Sequence, residues 1–451
     1  MNQFRNKFKL EYYIIMLRIR DFIKYDWPNM MLPFSLVFLL IFSAQYWMKK
    51  YNNGLTNLGK LFRTGWPGSK YFPTLFTKLL FNNKNIQFMT EFREQVLRTI
   101  EPTTTTQKFF DDPSRLFRSI VIVLKSYSPT SKGLIIIKYS NYFPLFFKLF
   151  DVNSIADKYH IVLEPSWAGL CEPNILLFAT INKPVFVMAY EARDNEFINA
   201  INTNLTPIDT GANWWVDYRK FSDENHEFDR DIDLIVVAKW SEFKRYYYIF
   251  KALQTVKLSL ENIKIVIVGY TGDQTLNQIK EMARKFNLED NITTYEWLPP
   301  SEVADLLVRS KINLLWSRFE GDKRSIIEGM FCNTPCILRE GNNYGQRYDY
   351  INPETGDWAN EKTLPNRICK MLKKDFKINP RKYVLENHNC HIAIRTIQTA
   401  IGKVDNSFID VPIDNFEMKI NELNGMQYFN PLAEINFTSD YDSLSNSINL
   451  N

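Results

Sequence analysis

Four histidines and five cysteines are the whole supply, in this 451-residue chain, of the two residue types that most often serve metals and covalent catalysis. The cysteines Cys171, Cys332, Cys336, Cys369 and Cys390 are odd in number and lack paired ligand spacing, which speaks against a zinc module and a disulfide framework. Cys332 and Cys336, separated by three residues at a helix end and a strand, read as core packing. His160 opens an apolar run, His226 lies in a charged passage, and His388 and His391 sit near a C-terminal helix. None has a partner visible in the sequence, so none is assigned a catalytic role. Neither sign of charge dominates: 55 basic against 50 acidic residues give a net charge of +5, and without a long basic block nucleic acid is not implied. Internal repeats are lacking, apart from a weak duplication of two sheets. Apolar residues, by contrast, are plentiful: 45% hydrophobic and 15% aromatic content supports real cores in two or three domains and excludes a disordered chain.

The N-terminus is basic and amphipathic, with Arg5, Lys7, Lys9, Arg18, Arg20 and Lys24 around Tyr12 to Leu17. The stretch from Met30 to Met48 carries no formal charge and is closed by Lys49 and Lys50. Its length matches a bilayer's hydrocarbon core, and Trp27, Tyr46 and Trp47 resemble an interfacial belt. Pro33, Ser35, Ser43 and Gln45 weigh against a span, so a monotopic helix and a soluble core helix stay open beside a single-pass anchor of unassigned orientation. Residues 51–118 read as a linker with a few helices. Short β-branched runs at 119–124, 133–138, 159–163 and 184–188 then predict a Rossmann-like domain over 119–225. A charged passage, with Ser222 to Glu227 as linker, leads to a second such domain over 231–403, where strands and helices alternate. Residues 404–451 read as a polar tail, partly disordered. The fold class expected is therefore α/β with two doubly wound domains.

One stretch of the second domain concentrates the chemistry. Lys311 to Trp316 predicts a strand, a turn holds Glu320-Gly321, a helix is expected from near Asp322, and Pro335 to Leu338 predicts the next strand. Glu328 then lies about two helical turns in, on the side of the turn. Helix starts of this kind take anions, and Lys323 and Arg324 have the wrong sign for the helix dipole unless an anion is near. Solvated surface charges are the plain alternative. In doubly wound sheets ligands bind beyond the carboxyl ends of the strands, where Lys239, Gly269 and Glu320 would emerge.

Taken together, Lys239 after one strand, Lys244 shortly beyond, Glu320-Gly321 with Glu328, Cys332-Asn-Thr-Pro335 and Asn352-Pro-Glu-Thr-Gly356 resemble the retaining glycosyltransferases of family 4, the glycosyl transferases group 1 type, over about residues 119–400. The resemblance implies the GT-B fold, two Rossmann-like domains facing a cleft, and a nucleotide-sugar donor held by the second. It assigns the donor's diphosphate to Lys239 and Lys244, the transferred sugar to Glu320, the ribose to Glu328, and close backbone approach to Gly321. Asp322, Lys323, Arg324 and Gly269 complete the donor side. Asn333 departs from the family's usual glycine, and Lys239 from its frequent arginine. The acceptor, a glycan or a lipid- or protein-linked molecule, falls to the first domain, with Glu164, Trp167 and Glu191 as candidates. Neither a metal nor another cofactor is expected. A catalytically silent tethered scaffold, an inverting transferase with Glu164 as base, and a phosphorylase are the alternatives weighed.

Overall fold

The computed structural model describes residues 2–82, 86–166, 170–224, 230–341, 348–373 and 378–449. It divides into two compact units, each with its own parallel-stranded α/β sheet. One comprises residues Met1–Trp27, Val216–Tyr344 and Tyr348–Asn389, the other Pro28–Trp215 and Cys390–Asn451. Residues 225–227 of the expected linker lie outside the described residues.

The N-terminal region is helical: α1 (Asn2–Asp21), a widened turn over Phe22–Asp26, α2 (Leu32–Trp47) and α3 (Tyr51–Thr64). Pro28–Trp47 is long and apolar enough to cross a membrane, and only 11% of it is buried, whereas a soluble core helix would be mostly covered. Gln45, out of place in a bilayer, accepts a hydrogen bond from the Asn57 amide of α3 at 2.8 Å. Gly54 brings α3 against Phe42, since a Cβ there would stand 3.3 Å from the ring.

The five-stranded sheet runs β1 (Val121–Lys125), β2 (Gly133–Lys138), β3 (Tyr159–Glu164), β4 (Val185–Met188) and β5 (Leu205–Ile208), in that order across the sheet. Its members β2 to β5 are parallel, with β2 to β4 buried on both faces, but β1 is antiparallel to β2. The connection between those two is too short for a crossover helix, which forces that direction. Because the strands lie in sequence order, this sheet has no switch point. Its last strand escaped the sequence reading since Pro207 interrupts it, an interruption tolerated at a sheet edge.

The tail expected to be partly disordered is folded over residues 404–449 instead. Its two-stranded hairpin spans Lys419–Glu422 and Gly425–Tyr428, and Met426 N–H bonds to Ser119 O at 2.8 Å. The Tyr428 hydroxyl donates to Val123 O at 2.9 Å, and Asp440 accepts from the Tyr159 hydroxyl at 2.7 Å. Its polar residues are thus partners for the edge of a sheet, which composition alone cannot reveal.

The six-stranded sheet is fully parallel. Written by residues in spatial order, it runs Gly356–Ala359, Cys336–Arg339, Asn313–Leu315, Leu234–Val237, Ile265–Gly269, Ile292–Glu296. The order reverses between Leu234–Val237 and Asn313–Leu315, which are paired neighbours. That reversal is the switch point of a doubly wound sheet, where loops diverge above the carboxyl ends and leave a crevice. Cys332 and Cys336 are free and buried, as core packing requires.

Candidate active site

The two strands flanking the switch point deliver the central pair. After Val237 the chain passes Lys239, makes a single tight turn over Glu242–Lys244, and enters the helix Tyr246–Lys257 through Arg245 in a left-handed conformation (φ 61°). Lys244 therefore lies in the turn that precedes this helix. After Leu315 the buried Trp316 anchors a loop that carries Ser317 and Glu320, and the helix starts at Arg324 with Lys323 at its cap, two residues later than expected. Gly329 seats that helix on the sheet: a Cβ there would stand 2.6 Å from the Asn313 amide.

Lys244 and Glu320 are both buried and form an ion pair. The Ser317 hydroxyl donates to the same carboxylate oxygen at 2.6 Å. Burial would raise the Glu320 carboxyl, but Lys244 and Lys323 more than offset it and hold it below the usual range. Burial in turn pushes the Lys244 ammonium down, and the like charge of Lys323 adds to this against the pull of Glu320. One carboxylate thus faces two ammonium groups, a local excess of positive charge suited to an anion. Ser317 was missed, although a serine three residues before an acid is a recognisable local hydrogen-bonding pattern.

The remaining candidates are placed more loosely. Lys239 is exposed, its ammonium 5.7 Å from the centre of the Tyr270 ring. Glu328 pairs with Arg324 of its own helix at 3.3 Å. Gly321 and Asp322 lie in the same loop as Glu320, half-buried. Gly269 has a packing reason, since a Cβ would stand 2.2 Å from Ala238 O. Asn333 adopts φ 56°, the left-handed conformation that explains why a glycine or asparagine sits there.

In the other unit, Glu164 does not present an open carboxylate. It is buried between Lys419 at 2.6 Å and Lys138 at 3.4 Å, with the Asn421 amide donating at 2.8 Å. Burial raises its carboxyl, yet the two lysines outweigh that and hold it down at about 2. Lys419 comes from the folded tail, so this partner was invisible in the sequence. Glu191 is buried at the start of the helix Ala192–Ile201, its carbonyl accepting from Asp194 and Asn195 N–H at 3.0 Å. Trp167 lies outside the described residues. Among the described residues, no group of three or more His, Cys, Asp or Glu is placed to hold a metal.

Residues 217–377, which hold Lys244 and Glu320, match the family described as Glycosyl transferases group 1. No curated protein matches the chain. Among solved structures, a point mutant of TarM of S. aureus, in a complex with fondaparinux, α-GlcNAc-glycerol and UDP, is 17% identical with a TM-score of 0.44, covering 60% of this chain and 55% of that one. HepE of Anabaena, in complex with UDP-glucose, is 12% identical with a TM-score of 0.45, covering 60% and 78%. The sucrose-phosphate synthase of Thermosynechococcus elongatus is 13% identical with a TM-score of 0.44, covering 73% and 80%. The chain spans about half the length of the TarM structure.

Proposed function

We propose that this chain, a glycosyl transferases group 1 sequence over residues 217–377, moves a sugar from a nucleotide-sugar donor to a glycan or a lipid- or protein-linked acceptor. The observation that carries the reading is the buried Lys244–Glu320 pair, with Ser317 and Lys323, at the switch point of the six-stranded sheet. The donor's diphosphate takes up the excess positive charge: Lys244 and Lys323 receive it, and Lys239 meets it from the solvent side. As the sugar's anomeric bond breaks, negative charge grows on the departing diphosphate, and ammonium groups already fixed there stabilise it without reorganising. Glu320, kept ionised, accepts hydroxyls of the transferred sugar, while Ser317 fixes the carboxylate's orientation. Glu328 serves the ribose hydroxyls.

Transfer with retention fits this set, because acceptor and leaving oxygen exchange the proton on one face of the sugar and no side-chain base is needed. The commitment of Glu164 to Lys138 and Lys419 supports that choice over an inverting reaction with Glu164 as base. Membrane association is part of the proposal, supported by the largely uncovered apolar helix at Pro28–Trp47.

Incubation with UDP-glucose, UDP-N-acetylglucosamine, GDP-mannose and ADP-glucose, following nucleoside diphosphate release, tests the reaction. One of these is expected to be consumed by the native protein and not by Glu320→Ala or Lys244→Ala. Release that is absent, or unchanged in both variants, overturns the assignment.

A further inference from the structure

The N-terminal segment belongs to the six-stranded unit and grips it beside the site. Ile14 of α1 is buried in that unit's core, with Leu10 packed against it. The Tyr13 hydroxyl donates to Glu242 at 3.0 Å and accepts from the Gln274 amide at 3.2 Å, and Arg20 pairs with Glu242. Beyond α1 the helix widens: Trp27 N–H bonds to Phe22 O at 2.9 Å, five residues back. In an α-helix, residues five apart diverge by about 140°, whereas a turn closed over five residues brings them back towards one side. Asp21 directly precedes this turn and Asp26 ends it. Asp21 takes the Arg245 guanidinium at 2.6 Å and Asp26 takes Arg318 at 2.6 Å. Tyr25 is buried, with the Arg318 guanidinium 5.0 Å from its ring centre.

Arg245 directly follows Lys244, and Arg318 stands two residues before Glu320. Both guanidinium groups are buried. Arg245 has a second acid in Glu361 at 2.8 Å, but Asp26 is the one carboxylate paired with Arg318 among the described residues. A buried guanidinium stripped of its counter-charge is costly enough that it turns towards water and takes its loop with it. We propose that residues 13–26 are a positioning element of the donor site: Asp21 and Asp26 hold Arg245 and Arg318, and thereby fix the two loops that present Lys244 and Glu320. The inference rests on reading that pair as the donor site. Since Pro28 follows Trp27 directly, the apolar helix is joined by one peptide bond to this brace.

The test uses full-length protein carrying Asp26→Asn, Asp21→Asn or Asp26→Glu, titrated calorimetrically with UDP, GDP and ADP, with urea midpoints measured alongside. Asp26→Asn is expected to weaken binding of the preferred nucleotide about fivefold, the equivalent of about 1 kcal/mol for a partly exposed pair, and to raise the donor KM alike at nearly constant kcat. The urea midpoint should fall by no more than the loss of one partly exposed ion pair allows, and Asp26→Glu should recover most of the affinity. Should Asp26→Asn fail to fold, Asp21→Asn, whose Arg245 keeps Glu361, provides the same readout. Native affinity in both asparagine variants overturns the inference, as does an affinity loss that only parallels the urea midpoint and is not recovered by glutamate. Failure of the native protein to bind any of the three nucleotides is a separate outcome that removes the donor reading and this inference with it.

Discussion

Replacing Lys244 by methionine keeps most of the length of the side chain and removes its charge, so the consequences are chiefly electrostatic. Lys244 is buried and Lys239 is exposed, and that difference sets the expected scale. A charge-assisted contact from a buried ammonium to a diphosphate is worth about 1.5–3 kcal/mol, roughly 10- to 150-fold in affinity. An exposed ammonium in water contributes about 0.2–1 kcal/mol, at most about fivefold. Lys244→Met should therefore weaken nucleoside diphosphate binding by one to two orders of magnitude, and Lys239→Met much less. A further loss of about 100-fold in kcat is expected for Lys244→Met, because the missing charge also faces the departing diphosphate. The assays are calorimetric titration with UDP, GDP or ADP and nucleotide release under saturating donor. Folding must be separated from chemistry, since Glu320 is left buried with Ser317 and Lys323 as neighbours. The double variant Lys244→Met/Glu320→Gln serves here: removing both charges of a buried pair is far less destabilising than removing one. A double variant that unfolds in urea like the native protein yet binds no nucleotide places the loss in the site. Equal, modest effects of Lys239→Met and Lys244→Met would refute the ranking by burial.

Binding of the diphosphate should be coupled to proton uptake: Lys244 lies below the ordinary lysine range in the free protein, and an incoming anion raises it, so affinity falls as pH rises through that lowered value. Calorimetry in buffers of different ionisation enthalpy measures the uptake, which Lys244→Met should abolish. Burial depresses His160 to about 4 and His388 to about 3, so each unit's stability is fully present above a pH of about 6.5, the unfolded value, and is lost as pH falls towards the folded value. The slope is about 1.4 kcal/mol per pH unit for each histidine, readable from urea midpoints at pH 7, 6 and 5, and His160→Gln should flatten it for the five-stranded unit. Asn333→Ala should cost about 1 kcal/mol in the six-stranded unit while Asn333→Gly is tolerated, since alanine meets the left-handed φ of 56° without asparagine's or glycine's ease.

Where the sequence was legible, the signal was local. Most strands of both sheets announced themselves as β-branched runs, Leu205–Ile208 and Gly356–Ala359 excepted, and the restart of the pattern near residue 231 separated two α/β units. Asn333 in the Cys332 to Pro335 turn looked like a departure from glycine and is instead the other residue that tolerates the same backbone. Lys244 and Glu320, the pair proposed for the donor, were legible because each sits within a few residues of a strand end, so strand order alone brings them together at the switch point. The helix after Glu320-Gly321 was placed two residues early, since Asp322 and Lys323 are charged residues that also suit a first helical turn.

What stayed hidden was long-range and ionic. Glu164 resembled a sugar-facing acid until Lys419 arrived from the far end of the chain, because a carboxylate's role depends on which cations the fold returns to it and no spacing encodes that. Asp21 and Asp26 are harder still: their partners lie 224 and 292 residues away, and in the sequence they are two ordinary charges in a basic N-terminus. Yet the same reasoning that identifies Lys244 applies to them. A charge that is buried must be matched, so each buried guanidinium beside the site points to an acid, and locating that acid extends the site into a segment that sequence resemblance to any α/β unit would leave out. It follows that the six-stranded unit should not be tested as residues 216–389 alone: without residues 1–27, Arg318 loses its paired carboxylate and Arg245 one of its two, and weak nucleotide binding by such a fragment would report on the missing brace rather than on Lys244 and Glu320.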